Sequence, residues 1–149
     1  MRIRTRTAVL CAAAAGVAVG SLPSLLRATT APPTASSATV HDLMARDLIA
    51  APGKEVRMLT VEYAPGAASL PHRHHAQVFV YVLEGALRMQ VQGSPRVTLK
   101  AGDTFYEGPD DVHAVSANAS DTDPARFLVF TVKDKGAPVS SAADQEPRP

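Results

Sequence analysis

Between residues 55 and 133 no apolar stretch runs far before a turn residue cuts it. Residues 55–64 (EVRMLTVEYA) stop at Pro65-Gly66, and residues 78–83 (VFVYVL) stop at Glu84-Gly85. Leu87, Met89 and Val91 alternate with Arg88, Gln90 and Gln92 until Gly93-Ser94-Pro95. Val97 and Leu99 end at Ala101-Gly102-Asp103, and residues 104–107 end at the turn 108–111. Residues 112–117 run into a polar turn, 118–124, and residues 126–133 (RFLVFTVK) close the series. Helices need roughly ten or more residues free of such breakers, whereas roughly four to eight between turns make a strand. Short strands at near-regular spacing give an all-β sandwich or barrel. The run 78–83 is apolar at every position, the pattern of a strand covered on both faces. Residues 40–49 (VHDLMARDLI) show no clean helical face and stay unassigned.

The 149 residues hold one domain, and a hydrophobic fraction of 46% supports a packed core. Tryptophan is absent, so Val, Leu and Ala with a few Phe and Tyr must fill that core. Residues 1–38 carry four arginines (Arg2, Arg4, Arg6, Arg27) and no acid, which leaves 11 Lys and Arg against 14 Asp and Glu in the remainder. An acidic body has no basic stripe, which argues against a nucleic-acid partner. The lone cysteine, Cys11, lies outside the globular region, so a disulfide or thiolate site there is excluded.

Residues 1–7 form a positive leader, and an Ala/Val/Leu/Gly stretch follows over residues 8–26. This is a secretory signal pattern, with cleavage expected after Ser36-Ser37-Ala38 rather than at Thr29-Thr30-Ala31, which Pro32 and Pro33 follow. Leu10 and Ala8 stand where a lipoprotein box needs a small residue and a leucine. The expected location is periplasmic or extracellular, with a membrane contact only if the segment is kept as an anchor. The expected organisation is a signal and Pro/Ser/Ala linker over 1–38, a barrel over 39–135 and a disordered tail over 136–149.

Chemistry concentrates in Pro71-His72-Arg73-His74-His75. On a strand, residues two apart share a face, so His72 and His74 point together, and Arg73 and His75 point away. Two adjacent imidazoles suit a borderline divalent ion (Fe, Mn, Ni, Cu or Zn), and His113, just after a turn, is the natural third ligand. His41 lies outside this region and is expected to be exposed. Phe79, Tyr81 and Phe105 are expected in the core or a pocket wall. Asn118-Ala119-Ser120 matches a glycosylation sequon, but a polar turn is the preferred reading.

The pattern Gly66-x5-His72-x-His74 followed by Gly85 resembles the first motif of the cupin superfamily. Gly102-Asp103 through the turn 108–111 to His113 resembles the second, and Tyr81-Val82-Leu83-Glu84-Gly85 fits the family's strand-and-turn signature. The resemblance spans residues 54–133. It implies a jelly-roll β-barrel holding one metal ion on His72, His74 and His113. Three departures stand out. Val78 occupies the place of the family's glutamate ligand, with Gln77 one residue out of register. The turn before His113 reads Gly108 and Asp110, and the second-motif asparagine is shifted to Asn118. Glu107 is the best substitute carboxylate, as a fourth ligand, a group behind the ligands or a catalytic base. Gln77 is expected to be structural.

The resemblance implies a metal-dependent enzyme acting on a small organic molecule, with a quercetinase-like dioxygenase as the preferred kind and Glu107 as its catalytic carboxylate. An apolar wall at Val78, Val80 and Val82 suits an aromatic or flat substrate. The alternative is a barrel that binds or senses a metal or small ligand without turnover. Exposed strand edges lead to the expectation of a homodimer.

Overall fold

The computed structural model describes residues 38–109 and 111–143. The expected signal segment, both cleavage sites and Cys11 lie outside the described residues. Eleven strands lie among the described residues: β1 (Ala38–Asp47), β2 (Lys54–Tyr63), β3 (Ala68–Ser69), β4 (His72–Arg73), β5 (Ala76–Glu84), β6 (Ala86–Val91), β7 (Val97–Lys100), β8 (Thr104–Glu107), β9 (Val112–Asn118), β10 (Ala125–Asp134) and β11 (Ser141–Ala142). One sheet has the order β1-β2-β10-β5-β8 and the other β11-β4-β9-β6-β7, with β3 also on β9. Every pairing is antiparallel.

Period-two burial fills the space between the sheets. Along β5, Ala76, Val78, Val80 and Val82 are buried, and along β10 Ala125, Phe127, Val129, Thr131 and Lys133 are buried. Leu87, Met89 and Leu99 come from the other sheet. Tyr63 and Phe127 pack with ring centres 5.4 Å apart at 58°, a tilted geometry favoured by the ring quadrupoles.

Four sequence expectations need correction or completion. Residues 40–49 belong mostly to β1, an edge strand exposed nearly throughout, with a bulge between Asp42 and Met44. A strand that buries neither face leaves no periodic signal to read. Secondly, β5 is covered on one face only among the described residues. Phe79, Tyr81 and Leu83 are exposed, and Tyr106 beside them packs on Phe79 with ring centres 5.3 Å apart at a tilt of 50°. Phe79 and Tyr81 therefore lie outside the core and line a shallow outer pocket with Tyr106 and Phe130, whereas Phe105 packs on the core.

Thirdly, the expected disordered tail is folded at least to residue 143. Val139 packs on the core, and β11 adds to the edge of β4. Composition gave this segment little to bury, but an open strand edge offers hydrogen bonds to any backbone that reaches it. Finally, Asn118 ends β9 with its side chain buried. Its Nδ2 donates to the Ala64 and Asp123 carbonyls at 3.1 and 2.8 Å, and its Oδ1 accepts from the Ser120 amide at 2.9 Å. A side chain committed to three bonds pins the polar turn 118–124 and is closed to glycosylation.

The chain crosses between sheets at Gly85, where φ is +73°. A Cβ there would stand 2.5 Å from the Pro124 carbonyl oxygen and 2.9 Å from the Ala125 Cα. Gly85→Ala must therefore bear both a left-handed backbone, about 1–2 kcal/mol for an L-residue, and a clash with main chain. We expect this variant to lose more than that amount in urea unfolding. Gly93→Ala, also at positive φ but with open space around it, is the control for the backbone cost alone.

Candidate metal centre

The ladder places the histidines. His72 on β4 lies directly opposite His113 on β9, so both rings leave the same face of the same sheet at one level. His74 follows two residues later, and its ring meets His72 edge-on with centres 4.8 Å apart. His113 is 5.0 Å from His72 by ring centres. One ring nitrogen from each of the three lies within 4.8 Å of the others. Among the other candidates, His75 turns away to Ser141, His41 is exposed on β1, and Gln77 is exposed on the outer face of β5.

Backbone carbonyls decide which nitrogen each ring offers. His72 Nδ1 lies 2.8 Å from the Leu70 oxygen, and His74 Nδ1 lies 2.7 Å from the Val139 oxygen. A carbonyl only accepts, so both Nδ1 atoms carry the proton, and each ring in its neutral form presents its lone pair at Nε2. Those two Nε2 atoms face each other at 3.1 Å. Two lone pairs at that distance repel unless a cation lies between or beside them. Burial lowers the His72 pKa, and the neighbouring His74 and His113 add to this against the Leu70 carbonyl and Glu107, so a proton is the poorer remedy. Two nitrogens bound at about 2.1 Å to one ion, at tetrahedral or right angles, stand about 3.0–3.4 Å apart. The separation fits a shared metal ion.

Glu107 completes the cluster from the opposite sheet. It ends β8, is 2% exposed, and sits directly across the ladder from Val78. Its Oε2 lies 3.0 Å from His113 Nδ1 and 3.9 Å from His74 Nε2, neither aligned as a hydrogen bond. Burial acts to raise its pKa, but contact with His113 and the nearby His74 and His72 outweigh it, so the carboxyl sits below its ordinary value and is ionised. Glu107 Oε2 and both ring nitrogens of His113 are buried without a hydrogen-bond partner. Leaving such atoms unpaired is costly, and a divalent ion can take the carboxylate oxygen and one nitrogen of the ring.

The cluster opens into a cavity of about 290 Å³ walled by Leu59, Val61, Val80, Met89, Phe127 and Val129. Tyr63 brings a hydroxyl network to it, 2.5 Å from Ser69 Oγ and 2.8 Å from Ser116 Oγ. Arg57 also lines the cavity. It lies on one rung of the sheet with Thr131, Val78 and Glu107, three strand spacings or about 14 Å from Glu107 by Cα. Its Nε and Nη2 donate to the two oxygens of Asp42 at 2.9 and 2.7 Å. Sequence reasoning missed Arg57, Tyr63 and the Val139 carbonyl, because nothing local sets them apart from other strand residues.

The two pKa shifts have the same sign for pH. Unfolded His72 takes up a proton below about 6.5 while the folded residue resists it, so folding weakens as pH falls past that point. Glu107 stabilises the fold above its unfolded value of about 4.5, and that contribution is lost as pH falls through its lower folded pKa. Metal-free protein is expected to show a melting temperature that declines on acidification in these two steps. Glu107→Gln removes the lower step and, by taking away a charge that favours protonated His72, enlarges the upper one.

Comparison with known proteins agrees with this architecture. The family model for the cupin domain matches residues 59–131. Pectin degradation protein KdgF of Dickeya dadantii (strain 3937) is 33% identical over 63 residues, covering 41% of this chain and 56% of that protein, so the chain spans little more than half of this relative. A recombinant oxalate oxidase solved in complex with glycolate matches with a TM-score of 0.55 at 25% identity, over 76% of this chain and 57% of that one. An uncharacterised double-stranded β-helix protein from Klebsiella pneumoniae subsp. pneumoniae MGH 78578 matches with a TM-score of 0.58 at 18% identity, over 76% and 90% of the two chains. Motif spacing, a two-sheet jelly roll and a histidine cluster inside it lead to one assignment: the chain belongs to the cupin superfamily.

Proposed function

We propose that this chain is an exported, mononuclear metal enzyme acting on a small organic acid, with His72, His74 and His113 as nitrogen ligands and Glu107 as the carboxylate ligand. The observation that carries the reading is the pair of carbonyl-locked rings aiming two Nε2 lone pairs at one point. An ionised Glu107, 3.0 Å from His113 Nδ1, stands beside that point. A divalent ion held there supplies Lewis acidity and, with iron, manganese, nickel or copper, oxygen chemistry of the quercetinase-like kind.

The chain's own residues supply the rest. The apolar wall excludes water from the substrate's body. Arg57 orients its acid group: Asp42 occupies the guanidinium side-on through Nε and Nη2, which leaves the Nη1–Nη2 end for a second carboxylate. The likeness to an oxalate oxidase solved with glycolate supports an acid of this kind. Export rests on the Arg-led apolar segment at 1–38. A homodimer belongs to the same reading, with the exposed face of Phe79, Tyr81, Leu83 and Tyr106 as the surface it would cover.

Elemental analysis of the full chain is expected to find one equivalent of a first-row metal, absent from a His72→Ala/His74→Ala variant. Glu107→Gln should bind that metal more weakly. Normal metal affinity with lost turnover would instead make Glu107 a base. A wild type that carries no metal and cannot be loaded with one sinks the reading and leaves a metal-free binding barrel. For the acid group, Arg57→Leu should raise KM about tenfold to a hundredfold for carboxylate substrates, the 1.5–3 kcal/mol of charged hydrogen bonds. The matching neutral amides should be little affected; equal losses for both would remove Arg57 from substrate recognition.

A further inference from the structure

We infer that residues 136–143 form a strap that is a working part of the metal centre: it fixes His74 as an Nε2 ligand and holds the ligand loop in place. This rests on the metal reading above.

The strap leaves β10 at Asp134 and turns at Gly136, where φ is +78°. It is tied at its base by Lys133 Nζ, which donates to the Ala137 carbonyl at 2.6 Å. Beyond that tie it contacts each residue of the ligand loop in turn. Ala143 N donates to the Pro71 carbonyl at 3.3 Å, and the ladder pairs Ala142 with His72 and Ser141 with Arg73. Arg73 Nε donates to the Ala143 carbonyl at 3.2 Å. The Val139 carbonyl accepts from His74 Nδ1 at 2.7 Å, and Ser141 Oγ lies 3.2 Å from His75 Nε2.

These contacts are not equivalent to the support on the other side. His72 and Arg73 pair with β9 through His113 and Val112, whereas His74 and His75 fall between β4 and β5 and have no ladder partner. The carbonyl that sets the His74 tautomer therefore comes from a segment 65 residues away in sequence. Ligand histidines depend on such partners for orientation and basicity, and losing one typically costs about 10–100-fold in metal affinity. Val139 also packs its side chain on the core, and it lines the cavity together with Ser140. The strap thus forms part of the cavity wall beside the ion. Docking and metal binding then share one coupling free energy, so each favours the other by the same factor. A passive cover over the β4 edge would lack that coupling.

The test compares the full chain with a chain ending at Pro138 and with full-length Val139→Gly, by titrating Co²⁺ against a competing chelator. Deleting from Val139 is expected to weaken Co²⁺ binding about 10–100-fold and to alter the visible absorption bands that report the ligand set. Val139→Gly should shift both in the same direction by less. In the wild type, adding Co²⁺ should slow amide hydrogen exchange across residues 139–143, a readout that serves even if the shortened chain fails to fold. Unchanged affinity and spectrum in folded variants, or no Co²⁺-induced protection of the strap, overturns the proposal and leaves the metal centre standing. Failure of the wild type to bind Co²⁺ in a folded state overturns the metal centre itself, and the strap's role with it.

Discussion

Strand register is the constraint on which the site depends. Side chains alternate with period two, so a slip of one residue would send a ligand to the wrong side of its sheet. Two ladder pairs carry the chemistry: His72 opposite His113 in one sheet, and Val78 opposite Glu107 in the other. The packed valines of β5 and the buried Leu87 and Met89 fix both registers, because a slip would exchange Leu87 and Met89 for Arg88 and Gln90 and the compact valines of β5 for the larger Phe79, Tyr81 and Leu83. Core and site are therefore one arrangement seen at two places along the same strands.

Burial then turns position into chemistry. In water, His72 and Glu107 would titrate near their ordinary values and find partners in solvent. Inside the barrel, His72 is held neutral, Glu107 is held ionised, and both His113 nitrogens are deprived of partners. Such a constellation is costly to bury, and a shared cation would offset that cost. The fold can hold them there because apolar packing elsewhere is extensive, from Leu59 and Tyr63 to Phe127 and Val129.

Much of this was legible in the sequence. The turn residues gave the strand series, and His72, His74 and His113 were picked out by spacing. Glu107 was singled out by its place before the turn. Less legible were features that depend on what lies across a strand edge. The run 78–83 reads as covered on both faces, since hydrophobicity records that a face is apolar without recording what covers it. The strap was missed because one valine and a few backbone groups do its work, and backbone groups have no letter in a sequence. Arg57 was missed because its meaning comes from sharing a rung with Glu107, a relation set by two intervening strands.

The cross-strand pairing of Val78 with Glu107 has a wider consequence. Neighbouring strands offer two sequence addresses for nearly the same place in space, since opposed Cβ atoms in an antiparallel pair lie only about 4.5–5.5 Å apart. A negative group vacated at one address can be re-entered at the other, and the cavity keeps its charge while the linear motif appears broken. In a barrel, then, the inheritance of a site is better read as a two-dimensional pattern on the sheet than as letters along a line.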